Sequence, residues 1–432
     1  MTNKKQLNKN RRKAIFSKLV SGAPVSKIAK EFGISEKTVK RYKKEIPSDL
    51  NSTQFRTGDK CFNSKSYYNI NKNKSQVNDS NVINVDGKRF FIEPDTGRIR
   101  KVLVDVSFTG REKRWRDYKQ QNLAVERVYR TLSNGVDGKY WEKRANRLYV
   151  CGTHIYFDVY ENNNGKEIMK VRRTESCRVR LCPLCTWRRS IKIQVHTRKI
   201  LECMQQEKEY GYILLTLTVP NVSGENLSDT LTNMMKAWDR FQHYVKFKNA
   251  VKGWYRGLEI THNVNKNSNS YDTYHPHFHC ILAVNKSYFT NNNNYINHDV
   301  WLSMWQRAMR NKNITQVDVR RVKSKSGTAN TGDMIITAVC EVAKYTVKSS
   351  DYILPKDWKM SCNAVRVLDK ALANRRLVAY GGIMKYWHKK LNLDDEIDGD
   401  LTEDETEIYG KVKRHVCAVW DVGYQQYFIH DN

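Results

Sequence analysis

The sequence has no run of 18 apolar residues and comparatively few acidic residues, and each shortage narrows the class of protein. Without such a run, the chain lacks the pattern of a membrane-spanning helix. Its first residues, MTNKKQLNKNRRKAIF, lack the apolar core of a secretory signal peptide. We therefore expect a cytoplasmic protein with no membrane partner, whose ten cysteines are metal ligands or small core residues rather than disulfides.

The shortage of acidic residues leaves a large positive charge. Lys and Arg number 76 against 45 Asp and Glu, which gives a formal net charge of +31. An excess of this size is far above what solubility requires, so it indicates a polyanionic partner, and nucleic acid is the first candidate. Because 432 residues are too many for one ordinary core, we expect two or three domains.

Residues 11 to 46 have the pattern of three short helices. The first ends at Gly22, and a GIS turn separates the second from the third, which Ser35 caps. This is the layout of a helix-turn-helix, and a solvated basic pair of helices is the alternative. The third helix would present three cations to DNA: Lys37, Lys40 and Arg41.

The remaining chain changes character twice. An Asn/Ser/Lys-rich linker and basic helical segments come first, and from GYILLTLTVPN onward strand-like runs alternate with amphipathic helices. The mixture of long crossovers and hairpin-like loops predicts an α+β fold with a central antiparallel sheet. We expect the acidic block LDDEIDGDLTEDETE near the C-terminus to be a solvated, flexible loop.

RRTESCRVRLCPLCTWRRS contains a cluster of cysteines. C-x2-C across a proline is the knuckle that wraps Zn²⁺, because both thiolates must reach one ion. His154 is a rival for one ligand position, and a redox CxxC or free core cysteines are the alternatives. The flanking arginines, among them Arg188 and Arg189, favour a knuckle that faces nucleic acid. The candidate ligands of a closed, structural zinc site are Cys151, Cys177, Cys182 and Cys185.

HPHFHCILAV, at residues 275 to 284, places two histidines on a strand-like run. His277 and His279 stand at i and i+2, so both imidazoles point to one side of a strand and can bind one ion. Glu259 would join them if its segment pairs with this strand, and His275 is a further candidate ligand. Such a set suits Mg²⁺ or Mn²⁺, which can polarise a phosphodiester.

AVCEVAKYTVKSSDY reads as a helix with Glu341 and Tyr345 on one face. A tyrosine hydroxyl that attacks phosphorus forms a phosphotyrosyl link, which keeps the energy of the broken bond for rejoining. The carboxylate could then activate water, while Lys344 and Lys348 would offset the charge of the phosphate. A half-buried tyrosine without a catalytic role is the alternative for any single tyrosine.

In this order, YILLTLTVPN, HPHFHCILAV and EVAKYTVKSSDY resemble the three motifs of rolling-circle plasmid replication initiators. These are Rep proteins of small Gram-positive plasmids, within the HUH endonuclease superfamily. CRVRLCPLCTWRRS and AYGGIMK also resemble that family, so the resemblance covers roughly residues 150 to 390. It implies an HUH-type central antiparallel sheet flanked by helices, His277 and His279 as metal ligands, Tyr345 as nucleophile, and Glu341 as the residue that ends replication through water.

The resemblance implies an enzyme that nicks one strand at a plasmid origin, on DNA that is single-stranded at the nick. It would stay on the 5′ phosphate and free a 3′ hydroxyl for a host polymerase. A host helicase is a further expected partner, and a homodimer is left open. A relaxase or single-strand transposase, or a non-catalytic helix-turn-helix and zinc regulator, are the alternatives. The predicted domains are the helix-turn-helix unit (1–50), a polar linker with a small hairpin (51–110), a basic helical and zinc-binding segment (111–195), the nicking and joining domain (196–360) and a C-terminal extension with the acidic loop (361–432).

Overall fold

The computed structural model divides the chain into two compact units, each assembled from segments that are distant in sequence. The first unit comprises Met1–Arg116, Thr153–Arg173 and Thr406–Asn432, and the second comprises Asp117–Gly152 and Thr174–Glu405. None of the described helices is long and apolar enough to cross a membrane. The structure describes residues 24–44, 81–85, 88–107, 110–161, 167–290, 294–323, 346–394, 401–403 and 411–431, together with Ile15, Leu19, Ile335 and Val339.

Helices and strands alternate along the described chain, as expected for a mixed fold. The helices are α1 (Val25–Phe32), α2 (Glu36–Lys44), α3 (Trp115–Leu132), α4 (Gly138–Val150), α5 (Pro183–Glu207), α6 (Gly224–Phe241), α7 (Val245–Ala250), α8 (His298–Met309), α9 (Trp358–Leu372) and α10 (Gly382–Lys390). The strands are β1 (Val82–Val85), β2 (Lys88–Ile92), β3 (Ile99–Val102), β4 (His154–Glu161), β5 (Glu167–Thr174), β6 (Tyr210–Thr218), β7 (Val251–Asn263), β8 (Thr273–Asn285), β9 (Val317–Arg321), β10 (Val378–Gly381), β11 (Val412–Asp421) and β12 (Gln426–Asp431).

The first unit contains the predicted helix–turn–helix arrangement of α1 and α2. Gly33 ends α1 with a φ of 56°, in the left-handed region that glycine adopts most readily. The Thr38 N–H donates to Ser35 Oγ at 3.2 Å, so the expected cap of α2 is present. Ile28 and Val39 have no exposed surface and belong to the same apolar cluster as Phe90 of β2. The two helices therefore share a core with the sheet of this unit.

That sheet has seven strands in the order β1-β2-β3-β12-β11-β4-β5. The predicted hairpin near residue 90 is β2 with β3, and the final strand-like run forms an antiparallel hairpin of β11 with β12. Phe428 of β12 pairs with Val102 of β3, so the C-terminal hairpin lies in the middle of the sheet.

The second unit contains a five-stranded sheet in the order β10-β7-β8-β6-β9. Every neighbouring pair is antiparallel, which confirms the predicted central antiparallel sheet and the α+β class. β8 is the middle strand, and β7 pairs with it along nearly its whole length, from Asn263↔Thr273 to Val251↔Val284.

Helices cover both faces of this sheet. Alternate side chains of β8 point to opposite faces, so both sets can be buried. Phe278 lies on one face, with ring centroids 6.0 Å from Trp238 of α6 and 6.2 Å from Trp305 of α8. Ile281 and Ala283 lie on the other face, in an apolar cluster with residues of α5, β10 and α10. His279 and His277, two and four positions before Ile281, share its face.

The acidic block is not simply a solvated loop, which corrects the expectation from its composition. Leu401 is 2% exposed, and the Glu403 carboxylate bonds to side chains of α5. The physical reason is that α5 carries buried cations, whose charge must be balanced where water is excluded.

Candidate active site

The register of β7 against β8 brings a carboxylate to the histidine pair. Glu259 stands directly opposite His277, and Gly257 stands opposite His279. The His279 Nε2 atom lies 2.8 Å from Glu259 Oε2, and the His277 Nε2 atom lies 3.6 Å from the same oxygen. The three side chains thus offer two nitrogens and one oxygen within 4.8 Å of one another, as one ion requires.

The other nitrogen of each ring has a partner of its own. His277 Nδ1 lies 3.1 Å from the carbonyl oxygen of His275, and His279 Nδ1 lies 3.3 Å from Thr216 Oγ1 on β6. Contacts of this kind fix the orientation of imidazole ligands and leave Nε2 for the ion. The sequence analysis did not identify Thr216. The alternating TLT run at the end of β6 could have indicated that its threonines share a face with the histidines.

Glu259 is kept ionised by the same histidines. Its side chain is nearly buried, and burial alone would raise the pKa of its carboxyl. Hydrogen bonds and charge from His277 and His279 outweigh burial and hold that pKa well below its usual range. Two imidazoles and one carboxylate fit a divalent cation with open coordination positions.

His275 does not belong to this set, although it was an alternative third ligand. Its ring centroid lies 5.3 Å from that of His277, on the same strand. Burial, followed by the neighbouring His277, lowers the pKa of His275. The geometry therefore groups Glu259, rather than His275, with the histidine pair.

The three predicted residues of the nucleophile helix, Glu341, Lys344 and Tyr345, lie outside the described residues. Val339 before them and the chain from Thr346 onward are described. Val339 is buried in the apolar cluster of α5 and α10, which covers the sheet face that carries the histidine pair. Thr346, the residue after Tyr345, accepts a hydrogen bond through its carbonyl from Ile260 N–H at 2.7 Å, one position from Glu259.

A buried histidine holds the segment that follows. The His262 side chain has no exposed surface, and its Nδ1 lies 2.8 Å from the carbonyl oxygen of Asp351. Its Nε2 lies 2.9 Å from Asp272 Oδ1, and its ring stacks on Tyr274 at 4.3 Å. Sequence reasoning missed His262, because no motif distinguishes it from a core histidine.

The rest of that segment has further anchors. Ser349 Oγ donates to Gln121 Oε1 at 2.6 Å, and the buried Tyr352 hydroxyl donates to the carbonyl of Leu181 at 2.8 Å. Burial raises the pKa of Tyr352, so this hydroxyl is a poor nucleophile. Lys348 is exposed at the start of the short turn Ser349–Asp351.

The four predicted cysteines converge in the second unit. All are buried and none forms a disulfide. The Cys151 Sγ lies 3.6 Å from that of Cys182 and 3.5 Å from that of Cys185, and the Cys177 and Cys185 sulfurs are 3.7 Å apart. Zn–S bonds of about 2.3 Å in a tetrahedron separate the sulfurs by about 3.8 Å. The donor set fits zinc and is complete without His154, which begins β4.

Cations and N–H groups surround this cluster. The buried Lys119 ammonium donates to the carbonyls of Tyr149 and Cys151 at 3.0 and 2.5 Å, and burial lowers its pKa. Asn122 Nδ2 donates to Cys182 Sγ at 3.3 Å. A positive charge and N–H donors stabilise thiolates, whereas burial raises the pKa of the Cys177 thiol, so a bound cation would be needed to keep all four cysteines ionised. Neither Lys119 nor Asn122 stood out in the sequence.

Comparison with known proteins identifies the family of this chain. A family model described as "Replication protein" matches residues 168–428, and a model of bacterial regulatory proteins of the luxR family matches residues 10–54. The chain belongs to the family of plasmid Rep replication initiators. No solved structure has a significant match to it.

Several curated relatives carry the name "Protein rep". One from Bacillus amyloliquefaciens is 38% identical over 339 residues, which span 76% of this chain and 97% of the relative. One from Lentilactobacillus hilgardii is 36% identical over 333 residues, or 76% of this chain and 99% of the relative. A shorter match, from a Bacillus species, is 40% identical over 284 residues, which span 64% of this Rep chain and 89% of the relative.

The arginines expected to face nucleic acid are buried in this Rep chain. Arg188 is 1% exposed and Arg189 is 5% exposed. Arg188 donates through Nε and Nη2 to the carbonyls of Leu401 and Glu403, at 2.8 and 2.9 Å. In this structure neither guanidinium presents a surface to a phosphate, which corrects the expectation that these two residues face nucleic acid.

The cations predicted on the helix-turn-helix lie on α2. Lys37 and Lys40 are exposed, and Lys40 forms an ion pair with Glu36 at 3.6 Å. The side chain of Arg41 lies outside the described residues. Contact of these cations with DNA stays a prediction.

Replacing His262 tests whether it anchors the segment after Tyr345. We expect His262→Ala to lower the free energy of unfolding by about 2–3 kcal/mol, because two buried hydrogen bonds are lost. Amide exchange of residues 346–352 should quicken beyond this global effect. The control is His243→Ala on the surface, which should change neither quantity. Unchanged exchange of the segment in His262→Ala would contradict the anchoring.

Proposed function

We propose that this Rep protein nicks one strand of origin DNA with Tyr345 and stays covalently attached. The observation that carries the proposal is the Thr346–Ile260 hydrogen bond, which anchors the residue after Tyr345 one position from Glu259. Consecutive Cα atoms are about 3.8 Å apart, so this bond supports a nucleophile one residue away that would need no long excursion of the chain to approach the histidine pair.

The reaction is a transesterification. The Tyr345 oxygen forms a bond to phosphorus while the bond from phosphorus to the 3′ oxygen breaks. The tyrosine loses its proton and the 3′ oxygen gains one, so a 5′-phosphotyrosyl link and a 3′ hydroxyl result. His277, His279 and Glu259 would hold Mg²⁺ or Mn²⁺, which when bound polarises a phosphate oxygen.

The remaining predicted residues serve the same phosphate. Lys344 and Lys348 would offset its charge, and Lys348 is exposed as that role requires. Glu341 would activate water at termination, so that the last link is hydrolysed rather than joined. The free 3′ hydroxyl would prime a host polymerase with a host helicase, and the helix-turn-helix would contribute duplex DNA binding.

A covalent adduct is the first test. Purified protein and Mn²⁺ are mixed with a labelled single-stranded origin oligonucleotide, and the products are separated on a denaturing gel. We expect an adduct with wild type and none with Tyr345→Phe, while Tyr352→Phe keeps it because that hydroxyl is bonded to Leu181. Adduct formation by Tyr345→Phe would place the nucleophile elsewhere, and tight duplex binding without any adduct would favour a non-catalytic DNA-binding regulator.

Metal binding distinguishes the two candidates for the third ligand. By calorimetric titration with Mn²⁺, Glu259→Ala should bind at least about 10-fold more weakly, because the ion loses its only charged ligand. His275→Ala is the matched control and should bind as wild type does. Equal losses in the two variants would remove Glu259 from its assigned role.

We also propose that the four cysteines hold a structural zinc ion. Elemental analysis should find one zinc per chain in wild type and in Cys203→Ser, whose cysteine lies outside the cluster. Cys177→Ser should lose the ion and melt at a lower temperature, because structural zinc sites contribute directly to folding. Wild-type protein without stoichiometric zinc would refute the assignment.

A further inference from the structure

One face of α5 carries two lysines and a histidine that the proposed nicking reaction does not use. Lys192, His196 and Lys199 follow one another at spacings of four and three residues, so they lie on one side of the helix. Lys192 is 1% exposed and His196 is 4% exposed, although both side chains end in polar groups, which are costly to bury. We call these three residues the α5 cationic face.

Two described parts of the acidic block, Asp394 and residues 401–403, lie against this face, and we call them the acidic segment. Lys192 Nζ lies 2.5 Å from Asp394 Oδ2, and His196 Nε2 lies 2.5 Å from Glu403 Oε2. Lys199 Nζ lies 2.8 Å from the other oxygen of Glu403. Each member of the cationic face is therefore bonded to a carboxylate from one short stretch of chain.

The composition of this stretch is unlike that of the rest of the protein. Residues 394–407 contain nine of the 45 acidic residues of a chain whose net charge is +31. A sequence so rich in carboxylates shares one chemical property with a phosphodiester strand, which is a series of negatively charged oxygen acceptors. From Lys192 to Lys199 the helix rises about 10 Å, or about three nucleotides of one DNA strand.

A metal ion is a less suitable occupant of the same place. His196, Asp394 and Glu403 are close enough together to hold a cation. However, each carboxylate already bonds to an ammonium group: Asp394 to that of Lys192, and Glu403 to that of Lys199. These lysines supply the positive charge that a metal ion would bring. The contacts are therefore those of ion pairs between α5 and the acidic segment rather than those of a metal site.

We propose that the α5 cationic face is a binding surface for the DNA backbone, and that the acidic segment occupies it until DNA takes its place. Removing the segment alone would take a carboxylate partner from the buried Lys192 and His196 side chains, which is costly, so we expect another polyanion to replace it. Exchange is feasible because the carboxylates lie nearer the surface: the Asp394 side chain is 47% exposed and that of Glu403 is 26% exposed.

The test compares two double variants in a Tyr345→Phe background, so that its outcome does not depend on nicking. Asp394→Asn/Glu403→Gln weakens the segment's hold on α5. Glu225→Gln/Asp229→Asn removes the same charge from the exposed surface of α6 and is the control. Affinity for a 20-nucleotide oligothymidine is measured by fluorescence anisotropy at several NaCl concentrations, after matching thermal melts confirm folding.

We expect the segment variant to bind about 10-fold more tightly than the control. A plot of the logarithm of its affinity against the logarithm of the salt concentration should also be steeper, because phosphate contacts with α5 release counterions. In the protein without the segment changes, saturating oligothymidine should speed amide exchange of residues 391–403. Equal affinities of the two double variants, or exchange unaffected by DNA, would overturn the proposal. If the segment variant does not fold, the exchange experiment decides alone.

Discussion

The pairing of β7 with β8 is the constraint on which the candidate site depends. Their antiparallel register sets Glu259 opposite His277 and places Ile260, the next residue, in contact with Thr346. Strand side chains alternate, so a slip of one residue would move Glu259 to the face occupied by Phe278 and its aromatic partners. The apolar residues that bury β8 on both faces thus also fix the geometry of its polar end.

The polar groups of the second unit are held by contacts that span long stretches of sequence. The segment after Tyr345 is bonded to β7, to α3 through Gln121, and to the cysteine-rich stretch through the carbonyl of Leu181. The cysteine cluster therefore does more than hold its own loop together, because Cys182 directly follows Leu181, whose carbonyl accepts a hydrogen bond from the segment after Tyr345. This arrangement couples order in the cysteine cluster to the position of the segment.

Local signals in the sequence were sufficient for much of this arrangement. HxH spacing, the CxxC knuckle and the strand-like runs predicted the histidine face, the four cysteines and the antiparallel sheet, because each depends on neighbouring residues. His262, Thr216 and Lys119 were missed, because only tertiary contacts distinguish them from ordinary residues of their type. Arg188 and Arg189 were misjudged for the same reason, since basic composition does not indicate which side of a helix is covered.

The order of strands in the first unit has a consequence for synthesis of the chain. The sheet that shares a core with α1 and α2 places β12, the last strand, beside β3. A ribosome makes α1 and α2 first, yet this sheet cannot close until β11 and β12 have also emerged from the exit tunnel. Chains that stop before β11 would therefore carry the two helices on an incomplete sheet.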